Sequence, residues 1–106
     1  MKNLTYCEDG YFTVVPVLKT ALILKLVNKG LQLREACKYV NMSITAFERH
    51  KKNDVEKIQK IIEDKEISDM INSLSTRIIN RENIDSLTFC LLCSKARRLF
   101  NLPPCF

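Results

Sequence analysis

The amino-acid sequence predicts an all-α domain of five to six helices. Its 106 residues suffice for one small domain with a hydrophobic core. Only two residues are glycine and three are proline, which is too few for the many turns of a β-sandwich or β-barrel. Apolar residues also recur at helical spacing along most of the chain. We therefore expect a single domain over 1–106.

The first helix is predicted after an irregular N-terminal arm over 1–12. Thr13 can cap the start of this helix, Pro16 suits its first turn, and Gly30 suits its C-terminal end. Between these signals, leucine and alanine recur on one side of the predicted helix. The positions concerned are Leu18, Ala21, Leu22 and Leu26.

Two short helices, 32–39 and 43–51, are predicted next and are joined by a turn. Asn41 suits the left-handed residue that such a turn needs, and Ser43 can cap the helix that follows. The small and apolar residues expected to pack the pair together are Leu31, Ala36, Val40, Met42 and Phe47. This spacing is typical of a helix-turn-helix, which lays its second helix along DNA. We therefore interpret 13–52 as a helix-turn-helix core.

Further helices are predicted in the C-terminal part of the chain, 53–106. Asn53 or Asp54 can cap the first of them, and Asn83 or Asp85 can open the last, which ends at a pair of prolines. The apolar positions that define these helices are Val55, Ile58, Ile61, Ile62, Ile67, Met70, Ile71, Leu74, Ile78, Ile79, Leu87, Leu91, Ala96 and Phe100.

The charge balance favours a polyanionic partner without demanding one. Lys and Arg number 17 against 12 Asp and Glu, which gives a formal net charge of +5. The longest apolar stretch, 14–27, is interrupted by Pro16, Lys19 and Lys25, whereas a membrane span needs about 18 apolar residues in a row. The first residues also lack the apolar core of a signal peptide. We expect a cytoplasmic protein without a membrane anchor.

The sequence offers no recognisable catalytic constellation. His50 is its one histidine, no glycine-rich phosphate loop is present, and no nucleophile is spaced to pair with a base. We therefore predict that the protein is not an enzyme.

Three features follow one another along the chain: the proline-started helix, the helix-turn-helix spacing, and the run Cys90-Leu-Leu-Cys93-Ser-Lys-Ala-Arg97. With these features the chain resembles, over most of its length, the predicted archaeal transcriptional regulators that carry a Cro/repressor-type (XRE-type) helix-turn-helix. In that family a Cys-Glu pair precedes the first helix, as Cys7-Glu8 does here. The resemblance implies a small DNA-binding regulator.

The chain departs from the family pattern at three positions. Leu33 and Ile44 stand where the family usually has glutamine, which removes two common contacts to phosphates or bases. Asn41 stands where the family has its turn glycine. Because asparagine tolerates the left-handed conformation, this last change keeps the turn.

The predicted DNA contacts lie on the second helix of the helix-turn-helix. Its arginine can read guanine, its glutamate cytosine, and its threonine or isoleucine the methyl group of thymine. The histidine and the two lysines that follow are predicted to touch phosphates, with a solvated side chain as the alternative for the histidine. The predicted set is Ser43, Ile44, Thr45, Glu48, Arg49, His50, Lys51 and Lys52.

A domain of this size reads few base pairs, so we expect a homodimer on a pseudo-palindromic site in double-stranded DNA. The apolar stripe over 67–79 or the last helix would form the dimer surface, unless the stripe belongs to the core of the monomer. A protein-interaction adaptor or antitoxin-like module is the alternative function. An exposed apolar pair at Leu33 and Ile44 would favour that alternative.

The cysteines suggest a second site. Cys37 is predicted to be a core residue of the helix-turn-helix. Cys90 and Cys93 share one side of a helix, and with Cys7 and Cys105 they can supply four thiolates to Zn²⁺ or to a [4Fe–4S] cluster. The apolar, helical surroundings of the Cys-x-x-Cys run favour the cluster, which would make the regulator redox- or metal-responsive. A Cys7–Cys105 or Cys90–Cys93 disulfide, or four unligated thiols, are the alternatives.

Overall fold

A computed structural model describes residues 14–82 and 86–100, together with all of their side chains except those of residues 86, 87 and 90. No β-strand occurs within these ranges, so the all-α prediction is confirmed. The elements are α1 (Val15–Asn28), α2 (Leu33–Val40), α3 (Ile44–Asn53), α4 (Val55–Glu63), α5 (Lys65–Ile79), α6 (Ser86–Ala96) and a 3₁₀ turn (Arg97–Phe100).

Helix α1 lies at the centre of the fold. It packs against α2, α3, α4 and α5, and its side chains are buried on most sides. A helix that is apolar around most of its circumference is stable in water only when other helices cover it. Pro16 lies in its first turn, as predicted, whereas Thr13 lies outside the described residues. The core of the described chain is therefore built around α1.

Three helices end on a residue in the left-handed conformation: Gly30 (φ 106°), Asn41 (φ 57°) and Arg81 (φ 62°). At each end, the N–H of that residue donates to the carbonyl three residues earlier, and the next N–H donates to the carbonyl five residues earlier, over 3.0–3.2 Å. These paired bonds satisfy carbonyls that the helix leaves open and reverse the chain sharply. The predicted roles of Gly30 and Asn41 as chain-reversing residues are confirmed.

The predicted apolar face of α4 is partly wrong. Ile58 and Ile61 are buried, but the side chains of Val55 and Ile62 are 58% and 51% exposed. Ile62 is rotated by about 100° from Ile61 around the helix axis, and its half-exposed side chain lines a groove between α1, α4 and α5 instead of filling the core. Val55 is the first residue of the helix. Only a narrow stripe of α4 therefore reaches the core.

The apolar stripe of α5 belongs to the core of the chain itself. Ile67, Ile71, Leu74 and Ile78 are all buried, because α5 packs against α1, α4 and α6. The interpretation of this stripe as a dimer surface is therefore wrong, and the alternative, a monomer core, is confirmed.

Ion pairs tie the C-terminal helix to the start of α5. The Arg98 guanidinium lies 3.2 Å from Asp64 and 3.0 Å from Glu66, and the Lys95 ammonium lies 3.3 Å from Glu66. Asp64 also accepts a hydrogen bond from the Ile67 N–H and so caps α5. These contacts fix the register of α6 against α5, although exposed pairs of this kind add little stability.

Candidate nucleic-acid interface

Helices α2 and α3 pack on each other and on α1 through small and apolar residues. Ala36, Cys37 and Val40 are buried from α2, and Phe47 is buried from α3. Leu31 and Met42, on either side of α2, are partly buried against the same core. The residues predicted to hold the two helices together therefore do so.

The turn between α2 and α3 contains three residues, 41–43. Asn41 adopts φ 57° and ψ 52°, and Ser43 is extended, with its Oγ accepting the Ala46 N–H over 3.0 Å. Both predicted roles, the left-handed turn residue and the N-cap, are confirmed. The Lys19 ammonium of α1 donates to the Asn41 carbonyl over 3.4 Å and bridges α1 to the turn.

The outer face of α3 is exposed along its whole length. It carries Thr45, Glu48, Arg49 and Lys52, and the exposed side chains of Ile44 and Lys51 flank it nearer to Phe47. Three of these side chains are cationic and one is anionic, so the face is basic overall. The hydroxyl of Ser43, the first residue of the predicted DNA-binding set, is already used in capping the helix.

Two side chains of α3 have neighbours that limit their orientation. The Lys51 ammonium lies 5.9 Å from the centroid of the Phe47 ring, within reach of a cation–π contact. Burial, and after it the negative charge of the Glu48 carboxylate, raises the pKa of the Cys37 thiol on α2.

The alternative interpretation of His50 as a solvated side chain does not hold, and its predicted phosphate contact stays a prediction. Its Nδ1 lies 2.7 Å from Oδ2 of Asp54, and the two side chains are only 23% and 18% exposed. Asp54 occupies the N-cap position of α4, but its side chain makes no capping hydrogen bond there. The prediction that the Asp54 side chain caps α4 is therefore wrong, because the His50 imidazole binds the carboxylate instead. The His50–Asp54 pair joins α3 to the start of α4.

A recess of about 210 Å³ opens between α1 and the start of α3. It is lined by Val15, Pro16, Lys19, Asn41, Met42, Ser43, Ala46 and His50. Partial burial lowers the pKa of the Lys19 ammonium. Sequence reasoning missed Lys19 as a member of this surface, since it lies on another helix; the one available signal was a lysine in an otherwise apolar stretch.

The exposed apolar pair that would favour an adaptor is not formed. Leu33 is partly buried and packs against the core, while Ile44 is 41% exposed. A separate apolar groove of about 310 Å³ lies between α1, α4 and α5. Its lining residues are Ala21, Leu24, Lys25, Asn28, Ile62, Ser68 and Ile71.

The structure describes only part of the predicted cysteine site. Cys37 is buried in the core, as predicted, and Cys93 is buried as well. Cys7 and Cys105 lie outside the described residues, as does the side chain of Cys90. Among the side chains that are described, no three of His, Cys, Asp and Glu are grouped to hold a metal ion. The zinc and iron–sulfur assignments stay predictions.

Comparisons with protein-family models, with curated proteins and with solved structures found no match. The resemblance to archaeal regulators therefore stays a prediction. In the ranges 14–82 and 86–100, every helix is too short or too polar to cross a lipid bilayer.

Proposed function

We propose that this chain is a transcriptional regulator that binds double-stranded DNA through the outer face of α3. The observation that carries the proposal is the way α3 is presented. Phe47 anchors the helix to the core, Ser43 caps its start, and the opposite face is open to solvent with Thr45, Arg49 and Lys52 on it. A basic helix held this way is suited to lie against a polyanionic groove.

The dimensions and chemistry of α3 support the major groove as its target. An α-helix with its side chains is about 10–12 Å across, and the major groove of B-DNA is about 12 Å wide. Arg49 is suited to guanine and Thr45 to the methyl group of thymine. Glu48 is repelled by phosphates, so a position opposite the amino group of cytosine is the favourable one for it. Lys52 is suited to the backbone.

A homodimer on a pseudo-palindromic site is part of the proposal, since one recognition helix reads few base pairs. Because the apolar stripe of α5 is buried within the chain, the contacts between two copies would lie elsewhere on the surface.

The test is to select binding sites from a random duplex library and then replace Arg49. We expect Arg49→Ala to weaken binding to the selected site by about 1–3 kcal/mol, roughly fivefold to 150-fold. Arg77→Ala is the matched control, because Arg77 lies on α5 and is paired with Glu82. Equal affinity of both variants and the parent protein would reject α3 as the reading helix.

A protein-interaction adaptor or antitoxin-like module is the second candidate, favoured by the apolar groove between α1, α4 and α5. Ile62 lines this groove and is half exposed. The two candidates differ in their response to salt: DNA binding weakens steeply as salt rises, whereas apolar docking does not. Failure to bind duplex DNA even at low salt would favour the adaptor.

We further propose that Cys7, Cys90, Cys93 and Cys105 bind a [4Fe–4S] cluster, with zinc or no metal as the alternatives. The burial of Cys93 is compatible with an apolar shield around a cluster, and equally with a core thiol. Iron, sulfide and zinc analysis of protein purified without oxygen distinguishes the three cases. Unchanged metal content after Cys90→Ser and Cys93→Ser replacement would exclude these two residues as ligands.

A further inference from the structure

We infer that the recess between α1 and the start of α3 is an oxyanion site in which Lys19 and His50 hold a phosphate group. The inference rests on the proposed function and deepens it: on DNA, the occupant is a backbone phosphodiester beside the bases that α3 reads. Lys19 belongs neither to the predicted set of DNA-binding residues nor to α3, so the phosphate site adds a residue to the proposed interface.

The shape of the recess suits a small polar ligand. It encloses about 210 Å³, the space of several water molecules, and it is bounded by α1, by the turn and by α3. Two basic side chains that line it, Lys19 and His50, come from different helices. A ligand held by both would fix the position of α3 relative to α1.

Within residues 14–82 and 86–100, the Lys19 ammonium has no counter-ion. Its described partner is the Asn41 carbonyl at 3.4 Å, and no carboxylate of the described residues pairs with it. An ammonium has three N–H donors, so two are left for a ligand. Partial burial disfavours its charge, as the direction of its pKa shift indicates, and a bound anion would relieve that cost.

His50 contributes through its orientation. Asp54 binds Nδ1 over 2.7 Å, which leaves Nε2 as the other polar atom of the ring. With Nδ1–H donating to the carboxylate, Nε2 carries a proton only when the ring is cationic. His50 can therefore donate to an anion through Nε2 only when both ring nitrogens are protonated.

The charges around the recess favour an anion over a cation. No aspartate or glutamate is among the described residues that line it. The nearest carboxylate to His50, that of Asp54, is engaged by the ring itself. Lys19 faces the recess from α1 and is the one permanently charged side chain among the described residues that line it.

The first experiment titrates the full chain with inorganic phosphate and follows the His50 ring resonances by NMR at two pH values. We expect saturable shifts that strengthen at the lower pH, that are lost in Lys19→Gln and that are restored in Lys19→Arg. Lys25→Gln is the matched control, because Lys25 lies on the same helix but lines the other groove. A non-saturating response, equal in Lys19→Gln and the parent protein, would overturn the site.

The second experiment measures the salt dependence of binding to duplex DNA. Each lost phosphate contact makes the negative slope of log K against log salt shallower by about 0.9. We expect that change for Lys19→Gln and His50→Gln and none for Lys25→Gln. DNA binding with unchanged slopes refutes the inference and leaves the proposed function standing. Saturable phosphate binding without DNA binding refutes the proposed function and leaves the phosphate site standing. The ligand would then be a free phosphate compound.

Discussion

Gly30→Ala and Arg81→Gly should change the stability of this protein in opposite directions. Both residues adopt positive φ angles, 106° and 62°, and both end a helix with the same pair of backbone hydrogen bonds. The left-handed conformation is accessible to glycine without cost and is costly for other L residues. The end of α1 therefore has the residue that suits this conformation, Gly30, and the end of α5 has one that does not, Arg81.

The size of the stability change follows from the backbone conformation alone. A Cβ added at Gly30 meets nothing within 4 Å, so Gly30→Ala introduces no steric contact. The left-handed conformation costs about 1–2 kcal/mol, and the reduced freedom of the unfolded chain offsets roughly 0.4–1 kcal/mol of that cost. The free energy of unfolding should therefore fall by about 1 kcal/mol, which corresponds to about 4–8 °C in Tm. Arg81→Gly should raise it by a similar amount.

Thermal and urea unfolding followed by far-UV circular dichroism measure both effects. Arg81→Ala is the control, because it removes the 3.8 Å ion pair with Glu35 but keeps a non-glycine residue in the left-handed conformation. Arg81→Gly should be more stable than Arg81→Ala by the net cost of holding a non-glycine residue in the left-handed conformation. The reasoning is refuted if Gly30→Ala matches the parent protein in stability, or if Arg81→Gly is the less stable of the two variants at position 81.

Two further predictions concern α3 and its neighbour. Ser43→Ala should lower the free energy of unfolding by about 1 kcal/mol, since it removes the acceptor for the Ala46 N–H. Ser43→Asp should retain most of the parent protein's stability, because its carboxylate can accept the same hydrogen bond. Urea denaturation of both variants measures the two effects. Burial, followed by the Glu48 carboxylate, raises the pKa of the Cys37 thiol, so the unfolded chain loses this proton first and stability should fall as the pH rises past the ordinary thiol range. The fall should be shallower in Cys37→Ala, and identical pH profiles would contradict the stated environment of the thiol.

The features that could be predicted from the sequence are set by local chemistry. Asn41 and Ser43 act within a few residues of their own positions, and the structure has both in the predicted conformations. The same holds for Gly30 at the end of α1. Helical spacing likewise identified the buried positions of α5, because a stripe that repeats over four turns has one face to bury.

The remainder depends on contacts between distant segments. Arg97 is completely buried, although arginine is rarely so and nothing in its neighbourhood in the sequence announces it. His50 and Asp54 are only four residues apart, but whether an aspartate caps its own helix or binds a histidine depends on how α3 meets α4. Lys19 joins the surface around α3 only because α1 crosses beneath the turn. Helix packing, which no local pattern encodes, decides these cases.

The most direct test of the central claim is the affinity of the full chain for a fluorescent duplex of mixed sequence, measured by anisotropy over a series of salt concentrations. We expect the chain to bind the duplex at low salt. The logarithm of the binding constant should fall linearly with the logarithm of the salt concentration. The slope should be roughly −2 to −3 per chain, as expected if two or three of the cations on and beside α3 contact phosphates. Absence of binding at low salt, or an affinity that does not change with salt, would contradict the assignment of α3 to DNA.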